Sequence, residues 1–414
     1  MAETTTNSAP GESDTQSAPG APLAPQRRTF GELLTSDLRA LPVVIGLVAL
    51  WIFFTFQSDV FLSARNISNL LLQSTVVGIM ALGIMFVLLV REIDLSIAAI
   101  NGIAAVLMAK FVVEFGFSPW ISIPVSIVSG VLIGMASARW VTFVGVPSFV
   151  VTLGLGLALN GIQLLLLPQT ARYGLMNTGV EKIAQTKIAG GSAWLVFAIF
   201  LALGAALILS SAQRRRRQGL HVRTMSSVVL PLGGSALFGA IIVGVMNTHQ
   251  GIPLPTLIFA ILLMIGGYVL KETTFGLSLY AVGNNDEAAR RAGINVPGIK
   301  MAAFGIAGGI AALAGTIAAS RTLGVGVFSG GGVGGGTLLL ETIAAAVIGG
   351  VSLFGGRGAI YSALLGALVI GTVQNGLNLM GVENEIRLIV TGLLLVLAVS
   401  IDKIIEKATG QQAF

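Results

Sequence analysis

The side chains of this chain that could do chemistry are ionisable and amide groups set in apolar surroundings. A charge at a bilayer centre costs about 2.5–3.5 kcal/mol, so such groups face protein or water. In the stretch AVGNNDEAARRAGI, Ala281 to Ile294, Asp286 and Glu287 precede Arg290 and Arg291 by four positions each. In REIDLS, Arg91, Glu92 and Asp94 lie close together, with Asn101 two turns further on; a solvated loop with a helix cap accounts for them. Lys110 and Glu114, four apart, can pair or snorkel. Asn160 and Gln163 put amides on one side of an apolar run, and Gln374, Asn375 and Asn378, near Thr372, recur at helical spacing. Two uses suit neutral amides equally: hydrogen bonds between helices, about 0.6 kcal/mol each in membranes, and contacts to a hydroxyl-rich substrate. Glu341 is the one acid within a span-like segment, placed either on such a pathway or at the outer interface.

Covalent and metal chemistry find no support. With no cysteine, thiol catalysis and thiolate sites are excluded. His221 and His249 are isolated, and no serine has a G-x-S-x-G elbow or a credible base. The run Gly330 to Gly336 contains G-x-G-x-x-G spacing without the strand, helix and acid of a dinucleotide site, and without the Lys-Ser or Lys-Thr of a P-loop.

The elements that must position these groups are membrane helices. At 54% hydrophobic and 10% charged residues, with mean hydropathy +0.90, the 414-residue chain is predicted to be an all-α polytopic membrane bundle. With about 20 residues per crossing as the ruler, segments fall at 41–57, 67–90, 95–114, 120–138, 147–167, 193–212, 228–248, 255–270, 298–320, 337–353, 359–380 and 386–402. That makes about twelve, so both termini share a side. Segments 95–114, with intruding charge, and 337–353, rich in glycine, are expected as broken or re-entrant helices. Placing the termini in the cytoplasm gathers 17 of the 24 Lys and Arg on that side, Arg214 to Arg217, Arg290, Arg291 and Lys300 among them. Basic loops then explain the net charge of +6 better than nucleic acid does. Residues 1–40 are expected as a disordered tail ending in a short interfacial segment, 41–402 as the membrane domain with a cytoplasmic loop at 271–297, and 403–414 as a tail. Gly130 to Gly134 and Gly305 to Gly309 are G-x-x-x-G spacings suited to close helix contact.

Within the loop, Asn285 can cap a very short helix whose first turn holds the acids and whose last turn holds the bases, with Gly293 at the left-handed cap. Two turns are far below the roughly 12–15 residues an isolated helix needs, so this one must dock. Its Ala288, Ala289 and Ala292 face is small and apolar, suiting a groove in another protein.

These residues resemble the cytoplasmic coupling loop of bacterial ABC permeases that import ribose, xylose and galactose. REIDLS is similar to that family's GIDLS motif, with Glu92 where the pattern has glycine, and VPSFVVTLGLGLALNGIQLLL is similar to its PFIVTLGT-type helix. LLLETIAAAVIGGVSLFGGRGAIYSALLGALVIGTVQNGL, Leu338 to Leu377, resembles its E-x-x-AAxVIGGxSLxGGxG run. The xylose branch is the most similar in length and number of segments. The resemblance implies a monosaccharide importer in the bacterial inner membrane, assembled from two permease copies, separate cytoplasmic ATPase subunits that bind ATP and Mg, and an extracytoplasmic sugar-binding protein. It implies ATPase coupling through Gly283, Asn284, Asn285, Asp286, Glu287, Ala288, Ala289, Arg290, Arg291 and Gly293, no covalent chemistry or cofactor in this chain, and contact with lipid. The substrate-pathway residues are then Asn101, Asn160, Gln163, Glu341, Gln374, Asn375 and Asn378. Two alternatives stay open: an ABC permease for nucleosides or another small polar solute, and an ion-coupled secondary transporter, which would want a carboxylate at mid-membrane.

Overall fold

The computed structural model describes residues 41–217, 219, 228–331 and 337–408. The tail 1–40, His221, positions 332–336 of the glycine run and residues 409–414 lie outside the described residues.

Every predicted segment is a helix, because in an apolar run of this length only a helix satisfies its own backbone. Helices α1 Leu41–Gln57, α2 Ala64–Leu89, α3 Ile97–Val113, α4 Pro119–Val144 and α5 Ser148–Leu166 come first. A short α6, Lys182–Gln185, precedes α7 Gly191–Arg217, α8 Leu230–Asn247 and α9 Leu254–Glu272. Then α10 Thr274–Asn284 and α11 Asp286–Arg291 lead to α12 Val296–Thr322, α13 Thr337–Ile348, α14 Ile360–Leu379 and α15 Asn384–Ala408. The last helix runs six residues past the expected boundary at 402. Four strands of two or three residues are described: β1 Arg172–Gly174 pairs antiparallel with β4 Gly324–Gly326, and β2 Lys187–Ile188 with β3 Ile252–Pro253. The protein is therefore an all-α polytopic membrane bundle.

Among the described residues seven helices, α2, α4, α5, α7, α9, α12 and α14, are long and apolar enough to cross a membrane. Apolar α1, α3, α8 and α13 are shorter. Twelve residues of α13 span about 18 Å, well short of a hydrocarbon core of about 30 Å, in keeping with a broken segment at 337–353. Helix ends follow local chemistry. At α4, Ser118 accepts from the Trp120 N–H, Pro119 opens the first turn, and Gly145 closes the helix at φ 76°.

The loops gather at two ends of the bundle. At the charged end, Ile93 N–H donates to Ser148 Oγ, Gly356 N–H to Leu89 O, and Lys300 pairs with Glu92. The ribbon end carries both strand pairs, with Glu114 accepting from Lys110 and from the Tyr173 hydroxyl. Between the ends, α2 forms the centre of the core with buried alanines of α12, α13 and α14 around it. Helix α7, only 6% buried across its apolar window, lies at the periphery, as a lipid-facing helix must.

The tightest helix pair is α4 with α12. A Cβ added to Gly130 or Gly134 would overlap the carbonyls of Gly308 and Phe304, and Gly308 lies equally close to Gly130. Both expected glycine spacings thus meet in one crossing, but Gly308 makes the backbone contact, while Gly305 and Gly309 receive Met135 and Val131. Gly134→Leu is expected to force this crossing apart at a cost of about 1–3 kcal/mol. A lowered melting temperature in detergent, with Leu132→Ala on the exposed face of α4 unchanged, would be the result.

Candidate functional site

Helix α11 carries out the capping its residues predict. Asn285, extended at φ −160°, accepts from the Ala288 N–H at 2.9 Å, and Gly293 turns left-handed at φ 83°. Ile294 N–H then reaches Ala289 O, and Gly293 N–H reaches Arg290 O, which satisfies the last carbonyls as a Schellman motif does. Glu287 and Arg291 pair at 3.2 Å on the exposed side, worth a few tenths of a kcal/mol, about 0.3.

The four-residue spacing of Asp286 and Arg290 goes unused: Asp286 pairs with Lys300, at 2.6 Å, because the reversal at Gly293 lays the start of α12 against α11. Nor do the three alanines form one outward face. Ala289 is buried in this chain's own core, whereas Ala288 and Ala292 are exposed beside Glu287, Arg290 and Arg291. The short helix persists because it docks on its own protein through Ala289 and Asp286.

REIDLS is not a solvated loop. Glu92 sits 2.7 Å from Lys300, so one ammonium, 13% exposed, serves two carboxylates. Lys300 was legible from sequence only as a cytoplasmic base; nothing local joins it to Glu92, 208 positions away. Around this triad a cavity of about 300 Å³ opens between the start of α11, the start of α12 and the α4–α5 corner, with Thr142, Ser148 and Arg290 in its wall. Asp94 is wholly buried. It accepts from Ser96 N–H at 2.8 Å and Ser96 Oγ–H at 2.6 Å, which holds the turn just before α3.

Residues 92–96 form no helix and run beside the first turns of α5. Leu95 N–H donates to Thr152 Oγ1, and Leu95 O lies 3.6 Å from where Gly156 would carry a Cβ. Eight residues of α5 separate Gly156 from Ser148, so α3 starts about 12 Å further in than α5 does. The helix itself runs unbroken from Ile97 to Val113, so the break expected within 95–114 is not there; what the segment shows is a start deep in the bundle. From the ribbon end, residues 324–331 descend to meet it: Gln163 Nε2 donates to Gly326 O and Ser329 O at 3.2 and 3.1 Å. Gly330, at φ 68°, rests on the backbones of Ala98 and Gly102, where no Cβ would fit.

The seven amide and acid positions now divide. Asn101 Nδ2 donates to Ala311 O, and Asn375 exchanges hydrogen bonds with Asn66, at 2.8 and 3.0 Å, so both serve helix packing. Asn66 carried no sequence signal for this. Gln374 and Glu341 lie near each other between α14 and α13, and Asn378 accepts from Arg387. Asn160 and Gln163, one turn apart on α5, retain buried side-chain oxygens without a protein partner, Gln163 beside Gly326 and Ser329. Of the seven, they are the pair with acceptors left over.

The glycine run of Val347 to Gly358 packs on α10. The Tyr280 hydroxyl donates to Gly358 O at 2.8 Å, and burial holds that hydroxyl above its ordinary range, keeping it a donor. Gly355 and Gly356 are left-handed, at φ 82° and 67°, against Arg91 and Asn284.

Comparison with known proteins supplies the family. Residues 66–399 match the family described as "Branched-chain amino acid transport system / permease component". The chain is 36% identical over 306 residues to the xylose transport system permease protein XylH of Escherichia coli strain K12, covering 73% of this chain and 77% of that one. It is 29% identical over 277 residues to the ribose import permease protein RbsC of Haemophilus influenzae, covering 67% and 68%. It is 30% identical over 282 residues to the fructose import permease protein FrcC of Rhizobium meliloti, covering 68% and 63%. No solved structure matches.

Proposed function

The chain belongs to this permease family, a multi-pass membrane transport subunit, and from that premise we propose that it serves an ATP-driven importer of a monosaccharide, a pentose such as xylose. The observation that carries the reading is α11: a capped helix anchored on one side, with Ala288, Ala292, Arg290 and Arg291 exposed on the other for a partner to hold. A separate cytoplasmic ATPase, with its own ATP and Mg, engages this face. The charged end then lies in the cytoplasm with both termini, in a bacterial inner membrane, which the distribution of Lys and Arg supports. A second permease copy completes the pathway, and an extracytoplasmic sugar-binding protein delivers substrate to the ribbon end.

Import by alternating access needs a mid-membrane site that releases its cargo, and buried side chains with spare hydrogen-bond acceptors suit that task. Asn160 and Gln163 offer neutral acceptors to sugar hydroxyls, Gln163 beside the descending segment 324–331. The relative named for xylose transport, at 36% identity, supports the pentose.

Purification from native membranes in detergent, with the bound partners identified by mass spectrometry, tests the reading. Recovery of a Walker-motif ATPase with a binding protein that retains xylose is expected. Recovery of the chain alone, with uptake driven by an ion gradient in ATP-free vesicles, would overturn it.

A further inference from the structure

We propose that the loop 349–358 is the transmission element of this permease, carrying displacement of the coupling segment to half-helix α13, with Tyr280 and Gly356 as its positioning residues. The proposal rests on the reading of α11 as the ATPase contact.

Three backbones meet at the charged end without a side chain between them: the last turn of α2, the last turn of α10, and the loop. Gly356 N–H donates to Leu89 O at 3.1 Å. A Cβ on Gly283 would overlap that same oxygen and come within 2.6 Å of the Gly356 nitrogen. Tyr280 adds its hydrogen bond to Gly358 O one turn earlier on α10. Close-packed backbone has no rotamers with which to absorb a push, so a shift of α10 moves the loop.

The connections on both sides are short. Asn285 alone joins α10 to α11, as the C-cap of one and the N-cap of the other. On the far side, Gly349, Gly350 and Val351 N–H groups bond back to Ala345, Val347 and Ala346, tying the loop to the last turn of α13. Ser352 N–H to Arg357 O, 2.9 Å, closes the loop on itself. Helix α13, twelve described residues or about 18 Å long, carries Glu341 about 10 Å up from its end, near Gln374. A movement entering at α11 is thereby delivered to the only described half-helix that holds an acid.

The absence of cysteine allows site-directed spin labels without background thiols. Labels at Leu340→Cys on α13 and Leu132→Cys on α4, both exposed, report the motion of α13 in the reconstituted permease–ATPase complex. Their separation should change between nucleotide-free and vanadate-trapped states. With Tyr280→Phe or Gly356→Ala the change should be lost, while the ATPase stays bound and hydrolyses ATP. Sugar moved per ATP should fall about fivefold with Tyr280→Phe, the size expected of one lost hydrogen bond. A separation that does not change in the parent, or that changes equally in both variants with transport per ATP intact, overturns the proposal. Failure of the parent chain to bind any ATPase would instead overturn the reading beneath it.

Discussion

Arg290→Glu with Arg291→Glu should reduce ATP-driven uptake to background while the protein still elutes as its native species. Both guanidinium groups belong to exposed residues, and neither supports the core, so their reversal alters what a partner meets at α11. The substitution is not wholly silent for the helix. Arg291 loses its pair with Glu287, and two acids then stand in the last turn, against the helix dipole, at a cost of about 0.3–1 kcal/mol each. Arg290→Gln with Arg291→Gln separates the effects, since glutamine keeps helix propensity without opposing the dipole. ATPase co-purification should be lost with the glutamate pair and weakened with the glutamine pair. Normal uptake by a correctly assembled glutamate pair would refute the coupling role of α11.

Lys300→Met should destabilise the charged end by about 3 kcal/mol, the lower part of the range for breaking a buried ion pair, because Asp286 retains substantial access to water. Glu92, only 14% exposed, has no such outlet. It is also the residue that stands where the resembling motif carries glycine. Lys300→Met combined with Glu92→Gly should therefore recover most of the lost stability, leaving Asp286 to rely on solvent. Thermal melting in detergent of the parent, the single and the double variant provides the comparison. A single variant that melts with the parent would show that the triad contributes nothing to the fold.

The amides divide on similar grounds. By residue type and spacing, Asn101, Asn160, Gln163 and Asn375 looked alike: neutral, polar and set in apolar helices. Packing separated them. Asn375 met Asn66 from a helix 309 positions earlier, and Asn101 met a carbonyl 210 positions later, whereas Asn160 and Gln163 kept buried acceptors free.

The sequence by itself determined that each apolar run is a helix, because apolar length acts locally, and it placed the caps of α11 at Asn285 and Gly293; other helix ends moved by up to six residues, as at α4, which runs to Val144 and not to 138. It likewise determined that α11 would be short, capped and charged. The tertiary structure alone decided which acid meets which base, which face of α11 is turned inward, and how deep α3 starts beside α5. Asp286 had a base four residues away and took Lys300 instead, since a partly buried ammonium already drawn to Glu92 outbids a solvated guanidinium. Local rules count neighbours along the chain, while burial, which sets the strength of a charge pair, exists only once distant segments have packed.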